Sequence, residues 1–275
     1  MEKAKDRLDV LEKIKLREAA GEWDQDVEND PPALELFAKD VDYLNKKLSS
    51  KIKTWIANKA ATKFYEKLIK NGGLIIKEIK GIENFLAVKG GAIITSNHFS
   101  PLENYAVWKS IKPHMGKRRL YRVIKEGNYT NPPAPFGFIM KNCDTLPLSR
   151  NRETMKHFLN AIDTLLKRGE KILVYPEQAM WWNYRKPRPL KNGAFKFAIS
   201  SNAPVIPFFI TMNDSETIGA DGFPIQEFTV NIMPAIYPDP ALSKNENAEM
   251  MKNKNYEMWK QTYEEFYGIP LSYEN

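Results

Sequence analysis

Three histidines occur in this chain of 275 residues. One of them, His98, stands in the stretch Ser96-Asn97-His98-Phe99-Ser100-Pro101-Leu102-Glu103, directly after an apolar run and five residues before a carboxylate. A histidine with a carboxylate partner is what general-base chemistry asks for. Neutral imidazole accepts a proton only in the right tautomer, and a carboxylate on the other ring nitrogen both fixes that tautomer and steadies the cation that forms. No GxSxG turn accompanies the pair. The chain therefore offers no serine nucleophile of that kind, and the hydroxyl to be activated would belong to a substrate. A histidine and a glutamate at this spacing are a weak signal alone, so the elements around them must decide.

From residue 73 onward strand and helix signals alternate. Strands are expected at 74–79, 92–96, 120–124, 145–148, 171–175, 205–211 and 228–232, with helices at about 101–112, 152–168, 192–201 and 246–267. The helix at 152–168 is the clearest: Met155, Phe158, Leu159, Ile162, Leu165 and Leu166 recur on one face, Asn151 can cap it and Gly169 can end it. Such alternation predicts an α/β fold, a layered domain with a largely parallel central sheet flanked by helices and preceded by an N-terminal helical arm. His98 then follows the C-terminal end of a strand, where ligands and catalytic groups of open α/β sheets gather, and Pro101 suits the first turn of the next helix. Residues 1–72 read as the arm and 73–275 as the catalytic domain. Within the arm, residues 1–20 form a charged helix, and the acidic stretch at 22–32 with Pro31-Pro32 reads as a linker or extended segment. Residues 48–70 form a second helix, with Ile52, Trp55, Ile56, Ala60, Phe64, Leu68 and Ile69 on one face among Lys51, Lys53, Lys59, Lys63, Lys67 and Lys70. That helix either packs on its own domain or lies in a membrane interface with its lysines toward anionic head groups.

Composition narrows the classes. Hydrophobic residues make up 43% and charged residues 27% of the chain, as in an ordinary globular protein. The single cysteine, Cys143, excludes an intramolecular disulfide. With no HExxH or CxxC pattern, a protein-ligated zinc is not expected. The N-terminus is too charged for a signal peptide and no apolar run is long enough to span a bilayer. A cytoplasmic protein, peripheral on the inner face of the cell membrane, is therefore expected. The net charge of +7 is uneven. Residues 1–47 hold 9 Lys/Arg against 13 Asp/Glu, a net −4, whereas residues 48–275 carry a net +11. A basic body suits an anionic partner, and no base-reading or stacking module points to nucleic acid.

Four stretches in order carry a resemblance: "NHFSPLE" (97–103), "FGFIMKNCDTLPLSR" (136–150), "VYPEQAM" (174–180) and "APVIPFFI" (203–210). Together they resemble the glycerolipid acyltransferase superfamily, whose type members acylate 1-acyl-glycerol-3-phosphate, with a His-x4-Asp pair, a glycine-apolar segment ending in arginine, a Phe-Pro-Glu-Gly-Thr segment and an apolar Val-Pro-Val/Ile-Pro strand. The resemblance covers roughly residues 73–235. It implies direct acyl transfer from acyl-CoA or acyl-carrier protein to the free hydroxyl of a lysophospholipid, with no bound cofactor, His98 as the base and Glu103 as its partner. It further implies that Arg150 contacts an acceptor phosphate, with Lys141 a weaker second, and that Glu177 and Pro176 shape the substrate site.

Glu103 stands where aspartate is usual, although glutamate there resembles the lipid A acyltransferases. Gln178, Ala179 and Met180 replace glycine, threonine and often arginine, which puts phosphate binding by this block in doubt. Arg185, Lys186 and Arg188 can supply that charge or form a solvated loop. His114 reads as a surface residue, His157 as one at the core edge, and Cys143 as an inert thiol. Trp181 and Trp182 are either interface anchors or packing over the site. Rival readings are a non-catalytic lipid- or carrier-binding relative, an enzyme acting on another lyso-lipid, and a lysophospholipid hydrolase using water.

Overall fold

The computed structural model describes residues 2–28, 33–132 and 136–273. The expected linker at 22–32 thus lies in part outside the described residues, Pro31 and Pro32 included. In chain order the elements are α1 (Lys5–Ala19), α2 (Leu48–Lys70), β1 (Ile75–Lys80), α3 (Ile82–Ala87), β2 (Ala92–Thr95), α4 (Glu103–Ile111), β3 (Leu120–Ile124), α5 (Glu126–Thr130), α6 (Gly137–Asn142), β4 (Thr145–Pro147), α7 (Arg152–Lys167), β5 (Lys171–Val174), α8 (Gly193–Ser200), β6 (Val205–Ile218), β7 (Pro224–Ile232) and α9 (Lys244–Tyr267).

Among the described residues the strands form one sheet in the order β1-β7-β6-β2-β5-β3-β4. All neighbours are parallel except β6 and β7, which form an antiparallel hairpin. The sheet is thus largely parallel, as the alternation of elements predicts. The two central strands, β2 and β5, are buried along their whole length, because helices cover both faces, and their sequences are accordingly near-continuous apolar runs. Pleat alternation splits these strands between two cores. Ile93, Ile172 and Phe209 face α7, α8 and α9 through Phe158, Leu165, Phe195 and Trp259. Ile94, Leu173 and Phe208 face α3 and α4 through Phe85, Tyr105, Ala106 and Ile111. The chain enters β2 through Gly91, where a Cβ would lie 2.1 Å from the Leu166 carbonyl oxygen; only glycine permits that approach of α7 to the strand.

Helix α7 begins where Asn151 Oδ1 accepts from the N–H groups of Glu153 and Thr154, both at 3.1 Å. Helix α9 starts two residues earlier than expected because Ser243 and Glu246 form a reciprocal capping box. Strand β6 runs on to Ile218, well past the expected end at 211. Asn213 and Asp214 are poor strand formers carried by the ladder to β7, and the register shifts between Asp214 and Ile218.

Two parts of the arm settle differently from the simplest expectation. Helix α2 turns Thr54, Ala57 and Ala61 inward, and only Tyr65, Leu68 and Ile69 reach the core beside α4. Leu48, Ile52, Trp55, Ile56 and Phe64 stay exposed, Trp55 at 58%. Small residues let α2 lie close to α6, which leaves its large apolar side chains outside. Helix α1 and the segment after it fold back instead over the body: Val10, Ile14, Val27 and Trp23 pack with Ala179, Trp181, Trp182 and Phe223. Trp181 and Trp182 are therefore buried, which removes them as surface anchors.

Candidate active site

The loop after β2 is fixed before its histidine is reached. Asn97 is buried and bridges to β6 in both directions: its Nδ2 donates to the Ile210 carbonyl at 3.0 Å, and the Ile210 N–H donates to its Oδ1 at 2.8 Å. His98 follows at the C-terminal end of the parallel strands. Its Nδ1 lies 2.5 Å from Glu103 Oε1. Glu103 is the first residue of α4, fully buried, at a helix N-terminus that favours negative charge. Burial raises its carboxyl above the ordinary glutamate range, and the adjacent His98 works against that rise. With Nδ1–H donating to the carboxylate, Nε2 carries the lone pair, and among the described residues it has no protein partner. The imidazole side chain is 22% exposed, so a hydroxyl can reach it. Tyr175 stacks on the ring at 4.0 Å between centroids and 13° between planes, and burial with Glu103 nearby keeps its hydroxyl protonated. The arrangement can take a proton from a hydroxyl at Nε2 and hold the resulting cation against Glu103.

The third block turns this loop's back wall. Pro176 is buried, and its carbonyl accepts from the Lys191 N–H at 2.9 Å. Glu177, 2% exposed, accepts from the His98 N–H at 2.9 Å and pairs with Arg188 at 2.9 Å. It is thus turned to main chain and to an arginine. Gln178 holds a positive φ of 68° at the position where the resembled family carries glycine; a glutamine in this region is uncommon and costs backbone strain.

The cations singled out from the sequence are spread widely. Arg150 follows β4, its Nε donating to Glu126 at 3.0 Å and its Nη2 to the Ala33 carbonyl at 3.0 Å, and its side chain remains 73% exposed. Lys141 lies at the end of α6, lining a polar recess with Asp42, Tyr43, Tyr129 and Asp144 along the β4 edge; His98 is not among the walls of that recess. Arg185 pairs with Asp214 at 2.7 Å and Lys186 with Glu18 at 2.6 Å. Cys143 is buried, burial pushes its thiol up, and its Sγ donates to Asn58 Oδ1 at 3.2 Å, which suits an unreactive thiol. His114 is exposed, as expected, and so is His157, which sits on the solvent face of α7 rather than at the core edge. Sequence pattern does not point to the roles of Asn97 and Tyr175 or to the contact of Trp23 with Arg188. Tyr175 had a signal, an aromatic beside the Pro-Glu pair, but stacking across two strands has no local pattern. Among the described residues no group of histidine, cysteine and acidic side chains is arranged to hold a metal ion.

Residues 77–211 match the family model described as Acyltransferase. The fold is similar to the crystal structure of the 1-acyl-sn-glycerophosphate (LPA) acyltransferase PlsC from Thermotoga maritima, with a TM-score of 0.56 and 18% sequence identity over 84% of this chain and 87% of that one. No curated protein sequence matches the chain.

Proposed function

We propose that the protein, whose residues 77–211 match an acyltransferase family model, transfers a fatty acyl group from an acyl thioester, acyl-CoA or acyl-carrier protein, to the free hydroxyl of a lysophospholipid, with 1-acyl-sn-glycerol-3-phosphate as the acceptor. The carrying observation is the His98–Glu103 pair, whose Nδ1 side is closed by a buried carboxylate and whose Nε2 is open. His98 Nε2 removes the hydroxyl proton as the oxygen attacks the thioester carbonyl. A C–O ester bond forms, the C–S bond breaks, and the imidazolium returns its proton to the leaving thiolate. Glu103 stabilises the cation between those two events.

Arg150 is the acceptor's phosphate contact in this reading. Among Arg150, Arg185, Lys186 and Arg188 it is the most exposed, at 73% against 39%, 24% and 1%, and Glu126 orients its guanidinium from one edge. The acceptor carries one acyl chain and resides in a bilayer, and no helix among the described residues is long and apolar enough to cross one. The exposed face of α2, joined by Phe136 in contact with Phe64 at 5.5 Å, supplies the surface that meets an anionic membrane.

The test is purified protein with acyl-CoA or acyl-carrier protein against a panel of phosphate-bearing, zwitterionic and amino lyso-lipids, with acceptor consumption followed by mass spectrometry. Diacyl product that disappears in His98→Ala, with circular dichroism unchanged, is expected. Transfer by His98→Ala at near the wild-type rate overturns the reading.

A further inference from the structure

Arg188 is 1% exposed, yet it donates to four different groups. Its Nη2 reaches Glu177 Oε2 at 2.9 Å, the Ala179 carbonyl at 2.5 Å and the His98 carbonyl at 3.3 Å, and its Nη1 reaches the Trp23 carbonyl at 2.9 Å. The guanidinium also lies 4.6 Å from the Trp181 ring centroid. Glu177 in turn accepts from the N–H groups of His98 at 2.9 Å and Arg188 at 2.8 Å. One buried ion pair therefore grips the catalytic histidine's main chain at its N–H and at its carbonyl.

The grip is closed from outside by the N-terminal segment. Besides Trp23, Gln25 accepts from Trp181 Nε1 at 2.9 Å, and Asp24 pairs with Lys191 at 2.8 Å. A buried ion pair that served stability alone could be replaced by apolar side chains at little cost. It would have no reason to spend its donors and acceptors on both sides of His98. We infer that Arg188 is a positioning residue for His98, held in place by residues 22–27, so that the N-terminal arm is part of the catalytic apparatus. The inference rests on the acyl-transfer reading for its kinetic consequence, because the direction of Nε2 follows the backbone of the loop and a displacement of about 1 Å can cost on the order of a hundredfold in rate.

The full-length Arg188→Lys variant keeps the charge and loses the fork. Its kcat is expected to fall by roughly tenfold to a hundredfold while KM for donor and acceptor stays within about twofold. The ring resonances of His98 in NMR spectra should shift, with those of His114 and His157 unmoved. Trp23→Ala, which loosens the segment while leaving the Glu177 and Arg188 side chains and the Trp23 carbonyl in the chain, should move the same quantities in the same direction. The double variant should lose less than the product of the two effects, as expected of one unit, and Trp23→Ala carries the test alone if Arg188→Lys does not fold. Wild-type kcat and unmoved His98 signals overturn the inference. So does a loss of activity that only tracks the unfolded fraction, or strictly multiplicative effects. If the wild-type protein transfers no acyl group, the functional reading falls, and the His98 resonances still decide whether Arg188 positions the ring.

Discussion

At the scale of single residues, Glu103 is set against its own stability. It is fully buried, its Oε2 has no hydrogen-bond partner among the described residues, and burial raises its carboxyl above the ordinary value of 4.5. The folded state therefore holds the proton to a higher pH than the unfolded chain does, and stability falls as pH rises from that ordinary value through the raised one. Glu103→Gln removes this loss. Relative to wild type it should gain thermal stability as pH is raised above 4.5, while its turnover falls by roughly a hundredfold or more. Thermal melts at several pH values decide the first part, and a difference that is flat with pH would refute it. Arg150→Ala should raise KM for a phosphate-bearing acceptor far more than for the acyl donor, with Arg150→Lys recovering only part of the loss. Equal effects on both substrates would make Arg150 structural.

At the scale of elements, β5 begins with Lys171, 5% exposed, bonded through Nζ to the Gly90 carbonyl and lying 5.2 Å from the Phe85 ring centroid. Burial lowers its ammonium from 10.5 to about 8. Between those values the unfolded chain binds more protons than the folded one, so stability rises with pH across that window. Lys171→Met should be more stable than wild type at pH 7, and the gap should shrink as pH passes from 8 to 10. A gap that widens would mean that the lysine's contacts outweigh its desolvation. Elements of this kind show what the sequence carries. Strand 92–95 and helix 152–167 are legible because each has a local cause: an apolar run buried along its length, or a capped 3.6-residue stripe. The β6 extension is not, since its cause is a neighbouring strand. The histidine–glutamate pair could be read from spacing within one turn. Asn97 bridging to Ile210, and Arg188 reaching back to Trp23, join residues more than a hundred positions apart and leave no periodic trace. The helix at 48–70 shows the limit from the other side: its stripe was plain, but which face turned inward depended on the small residues opposite α6.

At the scale of the molecule, the exposed apolar face of α2 lies beside the candidate site. Phe64 packs edge-on against Phe136, while the next residue, Tyr65, stacks on Tyr105 of α4 at 4.3 Å, two positions from Glu103. A bilayer meeting this face would present a single-chain lipid at the mouth of the site. Six lysines line the helix, and Lys59 lies 4.2 Å from the exposed Trp55 ring centroid, so charge and apolar surface occupy the same patch. Each surface-near lysine adds about 1 kcal/mol toward anionic lipid, enough in combination for reversible binding. The protein should therefore sediment with phosphatidylglycerol-rich vesicles, release in high salt and bind poorly to phosphatidylcholine. Replacing Lys51, Lys59 and Lys63 with glutamate should weaken vesicle binding and activity on a vesicle-embedded acceptor, yet spare activity on a short-chain soluble one. Trp55→Ser, at a position more than half exposed, should do the same with little effect on thermal stability. Equal loss on both acceptors would instead assign the face to the fold's own packing, and that outcome would also have to explain why four large apolar side chains between 52 and 64 stand in solvent.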